Sequence, residues 1–196
     1  MAEAIAKAGL AGVYSYAGRT ESPMGQPIQM KRWRGAVAAC TATGTPLIAL
    51  ERAAWSPGTF DRWTHVPDIA AAVTALAGPP RRVFLAIGRQ HVDAFAAQPQ
   101  HHYLLRLIDP PTGPLPLPHT KVVVARGPFD ASGDTALMQA HGTEVLVAKN
   151  AGGKGAVAKI AAARALGLPV LMIDRPVLPP RTVVHSVKDG MAWLSG

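Results

Sequence analysis

From residue 83 onward, short runs of β-branched and aromatic residues alternate with stretches of helical spacing, and this alternation constrains the fold more than any other feature of the chain. Strand, helix and strand in succession are the pattern of crossover units in a parallel sheet. Val83, Phe84, Leu85, Ala86 and Ile87 form the first run, ended by Gly88, and residues 90–97 suit a short helix. Residues 104–108 make the next strand. Beyond a proline-rich interval, strands are expected at 122–125, 145–148 and 170–173. Between them lie a helix over 132–140, with Gly142 placed to cap it, and a helix within 155–166 that ends at Gly167. A last helix is expected over 187–194, and residues 14–16 alternate like a strand. Runs that are apolar on both faces belong where helices cover a parallel sheet from both sides, so the fold class is α/β.

The prolines between residues 110 and 118 cannot enter a central ladder. Residues 111–120 therefore read as a linker between an N-terminal half, 1–110, and a C-terminal half, 121–196. Apolar residues at 48% against charged residues at 16% exclude a disordered chain. No apolar stretch approaches the ~20 residues of a membrane-spanning helix, so no membrane partner is expected. Glu3 and Lys7 interrupt the apolar start, so the first residues read as mature protein rather than a signal peptide. A single cysteine, Cys40, can form neither an internal disulfide nor a multi-cysteine zinc cage, which fits a reducing compartment, and the cytoplasm is the expected location.

Lysine and arginine number 20 against 12 acidic residues, a formal net charge of +8, so the surface should attract anions. Basic runs occur only at Lys31 to Arg34 and at Arg81-Arg82, which favours a local anion pocket over a nucleic-acid stripe. In doubly wound sheets, ligands bind beyond the carboxyl ends of the strands. The residues expected there are Ser15, Tyr16, Gly18 and Arg19; Gly88 and Arg89; Arg126 and Gly127; Lys149, Asn150, Gly152, Gly153 and Lys154; and Asp174 and Arg175. Glycine permits close approach and positive φ, and cations reinforce helix N-termini as anion sites. At any one of these places, glycine and proline that merely turn the chain and a solvated cation explain the residues equally well. Five places together shift the weight toward an anion-binding rim.

The segment 149–154 is the strongest single signal, because a strand, a glycine pair and a helix start follow in the order that a phosphate or carboxylate cradle requires. Neither G-x-x-x-x-G-K-[ST] nor G-x-G-x-x-G occurs in the chain. In dinucleotide-binding folds an arginine just past the second strand can hold the 2′-phosphate of NADP, the role open to Arg19. His101 and His102 alternate to opposite faces with no third ligand at metal spacing, so they read as structural or solvated and no metal is expected. His65, His119, His141 and His185 form no triad that can be assembled from the sequence. Trp33, Trp55, Trp63 and Trp193 read as core or rim packing.

The segments YSYAGRT, RVFLAIGRQHVDAF, HHYLLRLIDPP, VVVARGPFD, VLVAKNAGG and AKIAAARALGLPVLMIDRP together resemble the precorrin-6A reductase family of cobalamin biosynthesis. ARGPF and KNAGG in that order are the specific part. The resemblance implies two Rossmann-like halves facing a cleft. It also implies NADPH-dependent reduction of one carbon–carbon double bond of precorrin-6A, or of its cobalt-containing counterpart. The substrate would be a tetrapyrrole whose many carboxylates suit a basic rim. By matching motif, Ser15, Tyr16, Gly18 and Arg19 would face the cofactor's ribose and 2′-phosphate. Gly88, Arg89, Arg126, Gly127, Lys149, Asn150, Gly152 and Gly153 would line the anion cleft, while no catalytic residue is assigned. A monomer with no nucleic-acid partner is expected. Family members also begin with a strand and a Gly-Gly-Thr turn and carry a segment like Asp-Ala-Thr-His-Pro-Phe, and neither is found here. The N-terminal half is therefore expected to be incomplete, and the alternative function is a relative that binds a tetrapyrrole or nucleotide without turnover.

Overall fold

A computed structural model describes residues 13–16 and 28–195, with side chains described from residue 35 onward. In chain order the elements are β1 (Val13–Tyr16), α1 (Ile28–Thr43), β2 (Ile48–Glu51), β3 (Arg62–Val66), α2 (Ile69–Ala75), β4 (Arg82–Ala86) and a 3₁₀ helix (Arg89–Ala97). There follow β5 (His102–Leu107), β6 (Thr120–Val124), α3 (Ala131–His141), β7 (Val145–Lys149), α4 (Ala158–Ala165), β8 (Pro169–Ile173), β9 (Thr182–Val184) and α5 (Val187–Ser195). They fall into two compact units, Ala54–Pro176 and the combination of Met1–Ala53 with Val177–Gly196. Among the described residues no helix is long and apolar enough to cross a membrane.

The larger unit is a six-stranded, all-parallel sheet in the order β3-β8-β7-β4-β5-β6. Its central strands are buried on both faces, and alternation divides their side chains between two layers. Phe84, Leu104, Leu146 and Met172 pack with Met138 of α3 and Ile160, Ala162 and Ala163 of α4. Val83, Leu85, Leu105 and Val147 point the other way, onto Ala72, Val73 and Leu76 at α2 and Val92 and Phe95 of the 3₁₀ helix. Each such large side chain contributes roughly 1.5–3 kcal/mol on burial, so the two layers dominate the stability of this unit. Asp130 caps α3, its carboxylate accepting from the Gly133 amide at 2.8 Å, and Gly142 ends the helix at φ +67°.

The proline-rich stretch does not separate domains, which corrects the division at 111–120. It joins β5 to β6, which are paired neighbours in one sheet, and the halves 1–110 and 121–196 share that sheet. The physical reason is that a crossover between parallel strands must cover a face of the sheet, and a helix is not the only way to do so. Here Leu117, buried, and Leu115, partly buried, plug into the layer below α2 and the 3₁₀ helix. The chain leaves the unit at residue 176 instead.

In the smaller unit, β1, β2 and β9 form a three-stranded parallel sheet with β2 in the middle. Val37 of α1 packs on Ala49, with Leu47 and Leu178 beside them. Glu51 is buried and paired with Arg181, and the Glu51 carbonyl oxygen lies 2.8 Å from His185 Nδ1. Ser186 caps α5, its hydroxyl accepting from the Asp189 amide at 3.1 Å.

Candidate functional site

Strand order in the larger sheet places the site. From β4 the chain winds outward through β5 to β6, then returns to add β7 on the other side of β4 and β8 beyond it. The direction of winding therefore reverses between β4 and β7, and their carboxyl ends open the crevice in which doubly wound sheets hold ligands. Gly88 and Arg89 follow β4, and Lys149 ends β7 with residues 150–154 following it. Lys149 Nζ meets His91 Nε2 of the 3₁₀ helix across this switch point.

The loop after β7 is held from beneath by its carbonyls. Asn150 is buried; its Oδ1 accepts from the Trp55 amide at 2.9 Å, and its Nδ2 donates to the Trp55 carbonyl at 2.9 Å. The Trp55 indole Nε1 donates to the Gly153 carbonyl at 2.8 Å. Arg175, just past β8, donates from Nε to the Asn150 carbonyl at 2.9 Å and from Nη2 to the Ala151 carbonyl at 3.1 Å. Gly152 and Gly153 both adopt φ near +66°, a region costing an L-residue with a side chain roughly 1–2 kcal/mol. With three carbonyls engaged, the amides of Gly152 and Gly153 donate to no described residue. Two amides with no acceptor among the described residues, in a loop flanked by Lys149 and Lys154, make a donor set that can take an oxyanion such as a phosphate or a carboxylate.

Behind the loop lies a buried charged group. Arg106 of β5 pairs with Asp134 of α3, and the Arg106 guanidinium stacks 3.7 Å from the Phe129 ring centroid. Lys159, in the first turn of α4, is 7% exposed; its Nζ donates to the Ala156 carbonyl at 2.8 Å and lies 5.2 Å from the Trp55 ring centroid. Burial, with Arg106 adding to it, lowers the Lys159 ammonium to about 8.

The sequence-expected residues are thus partly brought together. Lys149, Asn150, Gly152 and Gly153 form one loop, with Gly88 and Arg89 on the adjacent strand end. Arg89 is exposed and donates to Thr112 Oγ1 at 3.0 Å. Arg126 and Gly127 follow β6 at the sheet edge, where Arg126 is exposed and ion-paired with exposed Asp109 at 2.6 Å. Ser15 and Tyr16 lie on β1, in register with Leu50 and Glu51, while Gly18 and Arg19 lie outside the described residues. His101 is structural: Nδ1 accepts from the Arg81 amide at 3.1 Å and Nε2 lies 2.8 Å from the Leu76 carbonyl. Trp55, His91 and Lys159 were not singled out by sequence reasoning as site residues, and Trp55 is more than packing because both its amide and its indole clamp the loop.

Residues 33–195 match the family described as Precorrin-6x reductase CbiJ/CobK. The precorrin-6A reductase of Rhodobacter capsulatus is 48% identical over 227 aligned residues, covering 100% of this chain and 90% of that protein. The precorrin-6A reductase of Rhodococcus erythropolis is 46% identical over 169 residues, covering 86% of this chain and 68% of that protein. A solved structure of CobK precorrin-6A reductase superposes with a TM-score of 0.79 at 48% identity, over 99% of this chain and 90% of that one. The 227 positions aligned with the Rhodobacter protein exceed the 196 residues of this chain, so at least 31 of them have no counterpart here. That agrees with an absent internal segment.

Proposed function

Because the chain belongs to the precorrin-6x reductase family, we propose that it reduces precorrin-6A with NADPH as hydride donor and grips anionic oxygens of its ligands at the loop after β7. Family membership makes it an oxidoreductase that acts on a carbon–carbon double bond of a tetrapyrrole in cobalamin biosynthesis. The observation that carries the rest is the carbonyl-clamped glycine pair at the switch point, whose amides have no acceptor among the described residues.

That donor set fits a dinucleotide phosphate and a macrocycle carboxylate alike. When bound, NADPH supplies a hydride from its dihydronicotinamide ring, and the protein's task is orientation and charge. The Gly152 and Gly153 amides would hold the oxyanion, and Lys149 would add charge beside them. Arg89 and Arg126 would meet peripheral carboxylates of the macrocycle, with Gly88 and Gly127 allowing close approach. Ser15, Tyr16, Gly18 and Arg19 would take the adenosine ribose and its 2′-phosphate. The single cysteine fits a reducing compartment such as the cytoplasm, and basic residues scattered rather than gathered in a stripe argue against nucleic-acid binding.

The test is anaerobic mixing of the folded protein with NADPH and precorrin-6A. A fall in the near-ultraviolet absorbance of NADPH, matched by reduced macrocycle, is expected; neither change in a folded sample would refute the catalytic reading. The positions without counterpart favour one alternative, a relative that binds the macrocycle but not the cofactor. Calorimetry showing tight macrocycle binding with no NADPH affinity would establish it.

A further inference from the structure

We infer that Lys159 is a positioning residue that acts through the field beneath the glycine loop: its enclosed ammonium strengthens the hold of the Gly152 and Gly153 amides on an anionic oxygen, whether phosphate or carboxylate. This rests on the reading of that loop as an anion cradle.

The argument starts from charge balance in a dry layer. Lys159 lies on the stripe of α4 that also presents Ile160, Ala162 and Ala163 to the core. An ammonium there costs several kcal/mol unless its charge is compensated. The charged groups that face it are Arg106 of β5 and Asp134 of α3. The one carboxylate is committed to Arg106, with Arg106 Nη1 on Oδ1 and Nη2 3.4 Å from Oδ2. Among the described residues, two enclosed cations therefore share one anion, and an excess of one positive charge remains.

What Lys159 has instead is a single carbonyl and an aromatic face. The carbonyl belongs to Ala156, on the segment that leads out of the loop, and the face belongs to Trp55, whose indole N–H holds the Gly153 carbonyl. The excess charge thus stands across the Trp55 ring from the Gly153 carbonyl, on the loop that carries the two amides. A low-dielectric layer transmits such a charge better than water does. An incoming oxyanion is the missing counter-charge. Because burial brings the ammonium down to about 8, the attraction should be complete at neutral pH and fade in mildly alkaline solution.

The test uses Lys159→Met, which keeps the length and removes the charge, with NADP⁺ and precorrin-6A as separate probes in equilibrium calorimetry. Roughly tenfold weaker binding of one probe at neutral pH is expected. Loss confined to NADP⁺ identifies phosphate as the anion, and loss confined to the macrocycle identifies carboxylate. The ligand-free variant should melt at a higher temperature than the native protein, since an uncompensated buried charge has been removed; a lysine kept for stability alone would show the reverse. The native protein should lose affinity between about pH 7 and 9 and the variant should not, because the ammonium neutralises in that range. Unchanged binding of both probes by the variant, or a flat native profile over that range, overturns the proposal. Gly153→Ala separates the two readings. If it weakens binding while Lys159→Met does not, the cradle stands and the role of Lys159 falls; if neither does, the cradle itself falls.

Discussion

The carboxyl ends of β6 and β7 look alike, each with a cation at or just past the end of the strand and one or two glycines in the loop that follows. After β7 the carbonyls of Asn150, Ala151 and Gly153 are each engaged by Trp55 or Arg175, and the amides of the glycine pair have no acceptor among the described residues. After β6, Arg126 lies exposed and is paired with an equally exposed aspartate. Sequence composition does not separate the two; position in the sheet does. The first loop stands where the winding reverses and receives support from the segment after β8 and from Trp55, whereas the second stands at an edge with a neighbour on one side only. A basic residue after a strand becomes a site when the fold also fixes the backbone around it.

The strongest way to break this difference is Asn150→Ala. It removes both bonds to Trp55 and leaves the half-buried Trp55 amide and carbonyl without their partner, at about 1 kcal/mol for each group. The expected result is a fall of about a hundredfold or more in kcat/KM, with a lower melting temperature measured by calorimetry. An activity within threefold of the native protein would mean that the loop keeps its shape without the clamp.

A gentler change sharpens the same contrast. Trp55→Phe preserves the aromatic face toward Lys159 and removes only the indole donor to Gly153. The net loss of one such hydrogen bond is about 1 kcal/mol, so KM for the ligand held by the loop should rise roughly fivefold, with kcat little changed. A change confined to kcat would argue against the indole acting through ligand binding.

The parts of this arrangement that were legible in the sequence are those governed by local chemistry. Residues 145–148 are apolar without interruption because both faces of β7 are covered, and Gly142 and Gly167 mark helix ends because each adopts positive φ. The glycine pair after β7 was visible for the same reason. The features without a local mark depend on distant partners. β3, RWTHV, is mostly exposed at a sheet edge and takes its register from β8, more than 100 residues later. β2 and β9 pair across an even longer separation, so the return of the chain to the smaller unit leaves no local mark. Prolines between β5 and β6 looked like a boundary, since nothing local distinguishes a linker from a crossover that seats Leu117 on a sheet. Trp55 reaches Asn150 across 95 positions, beyond any periodicity. Lys159 did leave a signal: a lysine on the apolar stripe of a short alanine-rich helix.

The smallest effect is expected at the other loop, and it bears most directly on the comparison. In Arg126→Ala, the lost ion pair is about three-quarters exposed at the arginine, and such pairs contribute roughly 0–1 kcal/mol, so stability should be nearly unchanged. If Arg126 meets a macrocycle carboxylate, it does so as a mobile, solvated group. KM for precorrin-6A should then rise no more than a few-fold and become less sensitive to salt, while KM for NADPH stays constant. Steady-state kinetics at low and moderate ionic strength reads both. A loss as large as that of Asn150→Ala would show that the edge loop closes on the ligand into a geometry fixed as tightly as the one at the switch point. The contrast between the two loops would then describe only the ligand-free protein.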